Sequence, residues 1–380
     1  MTGLGNKQTA ARLRWLLRAC FEIRFARRSR PRPRPSSSIF WPVFEDEDEG
    51  RGRGRKGRPT SISKQALSLS LCVLFASGCS IRRIAINQLS DALAGSASTT
   101  FSSDNDPELV RAAVPFSLKL IEALLEESPN HRGLLLAASS GFTQFSYAFV
   151  QEDADELEAK DLSAAQSMHV RARRLYLRAR NYGLHGLEVS HHDFPNRLRQ
   201  DAKATLRAAR KSDVPLLYWT AASWGAAISL SKDNPDLVDD LSLVEALIDR
   251  AVELDEKFDR GALHTFLITF EMVRPGGSGD RAARAKFHFE RALALGGQNQ
   301  AGPFVAYAEA VSVGKQDKAE FVAMLNRALA INLEVAPQTE LVNLVMQRRA
   351  RWLLSQTDEH FVEAEKPGEA KRNYDWERKK

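Results

Sequence analysis

The amino-acid sequence predicts an all-α fold, a divergent array of helical repeats, on three observations. From Asp106 onward the apolar residues recur at helical spacing, as Val110, Val114, Leu118, Ile121 and Leu125 do. Glycines and prolines fall between such stretches, and no run alternates apolar and polar residues as a half-buried strand would. A short packing signature then returns on several segments: a small or apolar residue, a large one four positions on, and an alanine three further. Val244, Ile248 and Ala251 fill these places. So do Ala285, Phe289 and Ala292, and again Phe321, Leu325 and Ala328, with Ala172, Tyr176 and Ala179 as a looser case.

The first segment, residues 1–63, is low in complexity. RRSRPRPR spans Arg27 to Arg34, EDEDE spans Glu45 to Glu49, and RGRGRKGR spans Arg51 to Arg58. Such blocks repel themselves and bury little, so the segment is expected to be disordered. It reads either as a basic arm or as a stretch upstream of the true translation start. The second is preferred, because a long arm ahead of an export signal has little use.

Residues 64–78 have the layout of a signal peptide. Lys56, Arg58 and Lys64 precede an apolar run from Gln65 to Ala76, which is too short to span a bilayer. The run ends in Ala76-Ser77-Gly78-Cys79, which resembles a bacterial lipobox, with Ala76 where leucine is usual. Small side chains let a peptidase reach the backbone, and the thiol of Cys79 is the nucleophile that takes the lipid. The expectation is a lipoprotein held to the bilayer through acylated Cys79, with more than one acyl chain needed for stable anchoring. By resemblance to enterobacterial lipoproteins, a residue other than Asp in the next position, here Ser80, implies the outer membrane rather than the inner.

Residues 79–105 are rich in Ser, Thr and Asn and read as a tether. Residues 106–362 form the helical domain, opened by Asp106 as cap and Pro107 in the first turn, and 363–380 is a charged tail. The four-and-three spacing keeps all signature positions on one helix face, and the alanine lets a partner helix come close. It resembles the second helix of a tetratricopeptide repeat. The final alanines at 251, 292 and 328 are irregularly spaced, as expected of divergent repeats with insertions.

Charge and motif content narrow the function classes. The chain carries 54 Lys and Arg against 48 Asp and Glu, but residues 1–78 hold 16 of the basic and 6 of the acidic residues. The part from Cys79 onward is therefore net acidic, and no nucleic-acid partner is expected. There is no HExxH, no P-loop and no GxSxG, so neither a catalytic set nor a cofactor is expected. Two adjacent histidines, His191 and His192, point in different directions on a helix and make a poor metal pair. The Gly276-Gly277-Ser278-Gly279 stretch lacks the Lys-Ser/Thr end of a phosphate loop and reads as an inter-helix connection. In the stretch Leu216–Leu230, Trp219 and Trp224 point about 140° apart on a helix among small residues. This reads either as core filling or as an aromatic-lined ligand cleft.

Several long blocks resemble the TRAP-transporter T-component (TatT) family. They are DVPLLYWTAASWGAAISLSKD from Asp213, VEALIDRAVELDEKFDRGALHTFL from Val244, RPGGSGDRAARAKFHFERALAL from Arg274, AGPFVAYAEAVSVGKQDKAEF from Ala301 and QRRARWLL from Gln347, with YGLHGLE from Tyr182 upstream. The resemblance covers roughly Cys79 to Phe361. It implies a periplasm-facing lipoprotein of tetratricopeptide-like fold, a homotrimer, and a cleft or pore through each protomer. Its partner would be the periplasmic solute-binding protein of a tripartite ATP-independent (TRAP) transporter, with organic acids or hydrophobic molecules as cargo. Carried over residue by residue, Tyr218, Trp219 and Trp224 would line or support the cleft, with Phe266 and Phe270 beside them. The rival reading is a structural repeat scaffold for envelope assembly that binds peptides or proteins.

Overall fold

Asp106 opens the first helix, α1 (Pro107–Glu127). Its carboxylate accepts from the backbone N–H groups of Glu108 and Leu109, and Pro107 sits in the first turn, where its missing N–H costs nothing. The computed structural model describes residues 102–362, and every regular element among them is helical. The low-complexity segment, the signal-peptide reading, Cys79, most of the tether and the charged tail lie outside the described residues.

After α1, α2 (Arg132–Ser146) passes into a π-turn (Tyr147–Gln151) and then α3 (Glu152–Leu157). Asp161 caps the long α4 (Leu162–Glu188) through the N–H of Ala164. Two short helices, α5 (Phe194–Gln200) and α6 (Ala202–Leu206), lead to α7 (Val214–Ser229). There follow α8 (Pro235–Asp239), α9 (Leu241–Asp255), α10 (Ala262–Phe270) and α11 (Arg281–Gly296). A second π-turn (Ala308–Ser312) joins α12 (Gly302–Tyr307) to α13 (Val313–Lys315), and α14 (Lys318–Leu329), α15 (Glu340–Ser355) and α16 (Thr357–His360) complete the order.

Successive helices pack on one another. Helix α4 lies against α2 and α7, α7 against α9, α10 against α11, and α14 against α15. This is the repeat-like all-α architecture that the sequence predicts. The recurring signature is its seam: Val244, Ile248 and Ala251 of α9, Ala285, Phe289 and Ala292 of α11, and Phe321, Leu325 and Ala328 of α14 are all buried. Burying one such large apolar side chain contributes about 1.5–3 kcal/mol.

Helix α7 differs from the others. Nearly every residue of it is buried, the property of a helix enclosed on all sides rather than amphipathic. Its small residues make that enclosure possible. At the crossing with α4, Gly183 faces Thr220, and a β-carbon there would overlap the threonine hydroxyl. A second close approach lies at Gly261, where φ is +95° and an added β-carbon would lie 3.2 Å from the Ala292 backbone. This explains both the glycine before α10 and the small residue that faces it. The Gly276–Gly279 stretch is the loop between α10 and α11, with positive φ at Gly276 and Gly279.

No helix among the described residues is long and apolar enough to cross a membrane.

Candidate functional site

Helix α7 and the segment that leads into and through α10 assemble an aromatic cluster in the interior. The Tyr218 ring meets Trp219 edge to face at 5.1 Å between centroids, Phe258 at 5.7 Å and Phe266 at 6.5 Å. Phe266 stacks on Phe270 at 5.5 Å, and the Arg274 guanidinium covers Phe270. Thus four of the five residues marked from the sequence, Tyr218, Trp219, Phe266 and Phe270, come together, and all are fully buried.

Trp224, the fifth, is placed elsewhere. Its indole N–H donates to Asp240 Oδ2 at 3.2 Å, and Arg180 and Arg199 lie over its ring at 5.0 and 5.6 Å. Arg199 in turn binds both oxygens of Asp240, at 2.6 and 3.0 Å. The hydrogen-bonding capacity of Trp224 is therefore spent within the fold. Trp219 differs: its Nε1 is buried and meets no acceptor among the described residues, and neither Thr220 Oγ1 nor Ser139 Oγ has a partner there. The two hydroxyls face each other across Gly183, where α2, α4 and α7 converge. Buried donors are nearly always satisfied, so the Trp219 indole N–H and the two hydroxyls each need an explanation.

A second interior feature escapes the sequence reading altogether. Arg349 on α15 is fully buried. Its Nε and Nη2 donate to Glu309 Oε1 at 3.0 and 2.9 Å, its Nη1 donates to Asp155 Oδ2 at 3.1 Å, and Glu152 lies at 3.7 Å. The Trp352 ring lies 4.1 Å from the guanidinium carbon. An outer layer repeats the theme: Arg348 binds Asp153 and Glu156, both at 2.9 Å, and Arg111 pairs with Asp153, whose carboxyl is held below its ordinary range against the opposing effect of burial. Glu152 directly follows the first π-turn and Glu309 lies within the second. Such turns are frequent at functional positions, since the extra residue re-aims the side chains after it. The trace of this feature in the sequence is an acidic run at 152–158 and the three arginines of QRRARWLL, none of which is set apart locally as the buried one.

The two adjacent histidines lie in the turn after α4, not on a helix. His191 Nε2 is 3.0 Å from Asp213 Oδ2, and Arg132 also pairs with Asp213, while His192 is exposed in the turn. A different pair does meet: His264 and His288 share a hydrogen bond between their Nδ1 atoms at 2.8 Å, flanked by Glu256 on His264 and Glu271 on His288. Burial, aided by His288, pushes His264 down to about 4.

The comparisons with known proteins agree with the architecture. The family model described as TRAP transporter T-component matches residues 103–361. An uncharacterized protein of Treponema pallidum (strain Nichols) is 29% identical over 320 residues, covering 80% of this chain and 99% of its own length. The family match spans α1 through α16, taking in both the aromatic cluster and the buried arginine. The chain belongs to the TRAP transporter T-component family.

Proposed function

We propose that this protein is a non-catalytic recognition module of a TRAP transport system, a periplasm-facing lipoprotein anchored through acylated Cys79. It binds the system's solute-binding protein and offers an interior site to a small organic acid or hydrophobic ligand. Family membership gives the chain an accessory role in TRAP transport. The homotrimer that the family resemblance implies belongs to the same proposal.

The observation that carries the ligand reading is Trp219. Its indole is fully buried beside Tyr218 on α7, and its N–H meets no acceptor among the described residues. An apolar wall with one or two unspent polar groups is the usual make-up of a small-molecule site, the polar groups fixing orientation. Leaving a buried donor unbonded costs about 1–3 kcal/mol, which a ligand acceptor would recover. The peptide-scaffold alternative needs exposed polar ladders. Asn343, which could have served in one, is buried and spends its side chain on the backbone of Ala301 and Asn299.

The experiment is affinity isolation of the intact lipoprotein from membranes of its own host, with identification of the proteins that accompany it. The reading expects a TRAP solute-binding protein to be enriched. Repeated isolation without one would remove the basis of the transport role.

A further inference from the structure

The end of α3 and the first half of α4 bring three metal-ligating side chains to one place. Asp155 and Glu158 are three residues apart, hence on one face of the helix end. His169 comes back to them from α4 after the tight turn at 159–161. One ligand atom of each lies within 4.8 Å of the other two. His169 Nε2 and Asp155 Oδ1 are 3.0 Å apart. Tetrahedral zinc, with bonds of about 2.0–2.2 Å, holds its ligand atoms about 3.3 Å apart. The His–Asp edge is therefore close to that spacing already. Glu158, at the helix end, is the residue that must draw in.

Two further features suit an ion here. Asp155 is buried and its second oxygen accepts from Arg349 Nη1, the type of outer bond that orients a ligating carboxylate. Glu158 and His169 are half-buried, which leaves a path from solvent and a coordination position for water. Around them, Glu152, Asp153 and Glu156 lie in the same helical turns as Asp155 and pair with Arg349, Arg348 and Arg111.

One imidazole with two carboxylates is a donor set for a borderline transition ion; magnesium and calcium prefer oxygen alone. We propose that Asp155, Glu158 and His169 form a binding site for a zinc-class divalent metal ion, with Arg349 as the residue that positions Asp155. The bound ion would clamp the α3–α4 turn and, through Arg349, tie it to α15.

The test uses the full-length chain, stripped with chelator and titrated with zinc by calorimetry and with cobalt by visible absorption. Glu158→Gln and His169→Gln are measured alongside, with circular dichroism to establish folding. The expected result is saturable zinc binding that raises the thermal midpoint of the parent chain, and a loss of at least tenfold in affinity in each folded variant. Glu158 sits half-exposed at a helix end, so its variant gives a readout even where the histidine variant unfolds. Absence of saturable binding in the parent chain overturns the proposal. So does binding that persists unchanged in the folded variants, since the ion would then sit elsewhere and the His169–Asp155 bond would be structural only.

Discussion

Arg349 Nη1 lies 3.1 Å from Asp155 Oδ2, although 194 positions separate the two residues in the chain. Through this bond α3 is tied to α15, the last long helix. Replacing Arg349 by Met keeps the volume but leaves Glu309 and Asp155 buried without their shared cation. Breaking a buried pair in this way costs about 3–5 kcal/mol. Equilibrium urea unfolding should show that loss, and Arg349→Met combined with Glu309→Gln should lose less than the single variant.

Stability should fall as pH is lowered from 6.5 to 4. His264 has its folded-state value pushed down to about 4 by burial, so between these limits the unfolded chain binds the proton more readily. Its share of the loss is on the order of 3 kcal/mol. Glu256 and Glu271 act further down. Hydrogen bonding from Arg291 holds Glu256 at about 2, and for Glu271 the bonds from His288 and Arg284 outweigh burial to the same end. Their contribution is present above the ordinary glutamate range and is lost as pH falls toward 2. Thermal midpoints measured from pH 8 to pH 3 check the order, and His264→Gln should flatten the profile between 6.5 and 4.

Gly183→Ala should destabilise the domain by about 1–3 kcal/mol through overpacking. Its new methyl would overlap Thr220 Oγ1 and lie 3.0 Å from Ser139 Oγ. Adding Thr220→Ala removes the clash, so the double variant should regain most of the loss. A double-mutant cycle by denaturant unfolding measures this coupling.

The helical framework was legible in the sequence because a single rule, one apolar face closed by an alanine, governs α9, α11 and α14 alike. Asp106 and Pro107 likewise announce α1 locally. Tyr218, Trp219, Phe266 and Phe270 were marked through the family resemblance; that their rings meet was not legible, because it depends on how α10 packs near α7. Nor was Arg349. QRRARWLL contains three arginines, and nothing local says that only the middle one, Arg349, is buried. The acidic run that receives it lies after a π-turn, which rotates Glu152 and Asp155 by about one residue step, roughly 100°, from the face that ordinary periodicity would assign. His169 and Asp155 meet only because α3 ends where it does.

The two marked tryptophans should behave differently on conversion to Phe. Trp224→Phe removes a donor to Asp240, which keeps Arg199, so the hydrogen-bond loss is about 0.5–1.5 kcal/mol. Trp219→Phe deletes an N–H that bonds to nothing described, so its cost is packing alone. Calorimetric titration with a panel of small organic acids and apolar molecules should find binding weakened by Trp219→Phe and retained by Trp224→Phe.

The most direct measurement is association of the purified full-length protein with the TRAP solute-binding protein of the same organism, by calorimetry or sedimentation in mild detergent. The account predicts a saturable complex with defined stoichiometry. Two well-folded proteins that sediment independently at micromolar concentration, with and without transport substrate, would contradict it.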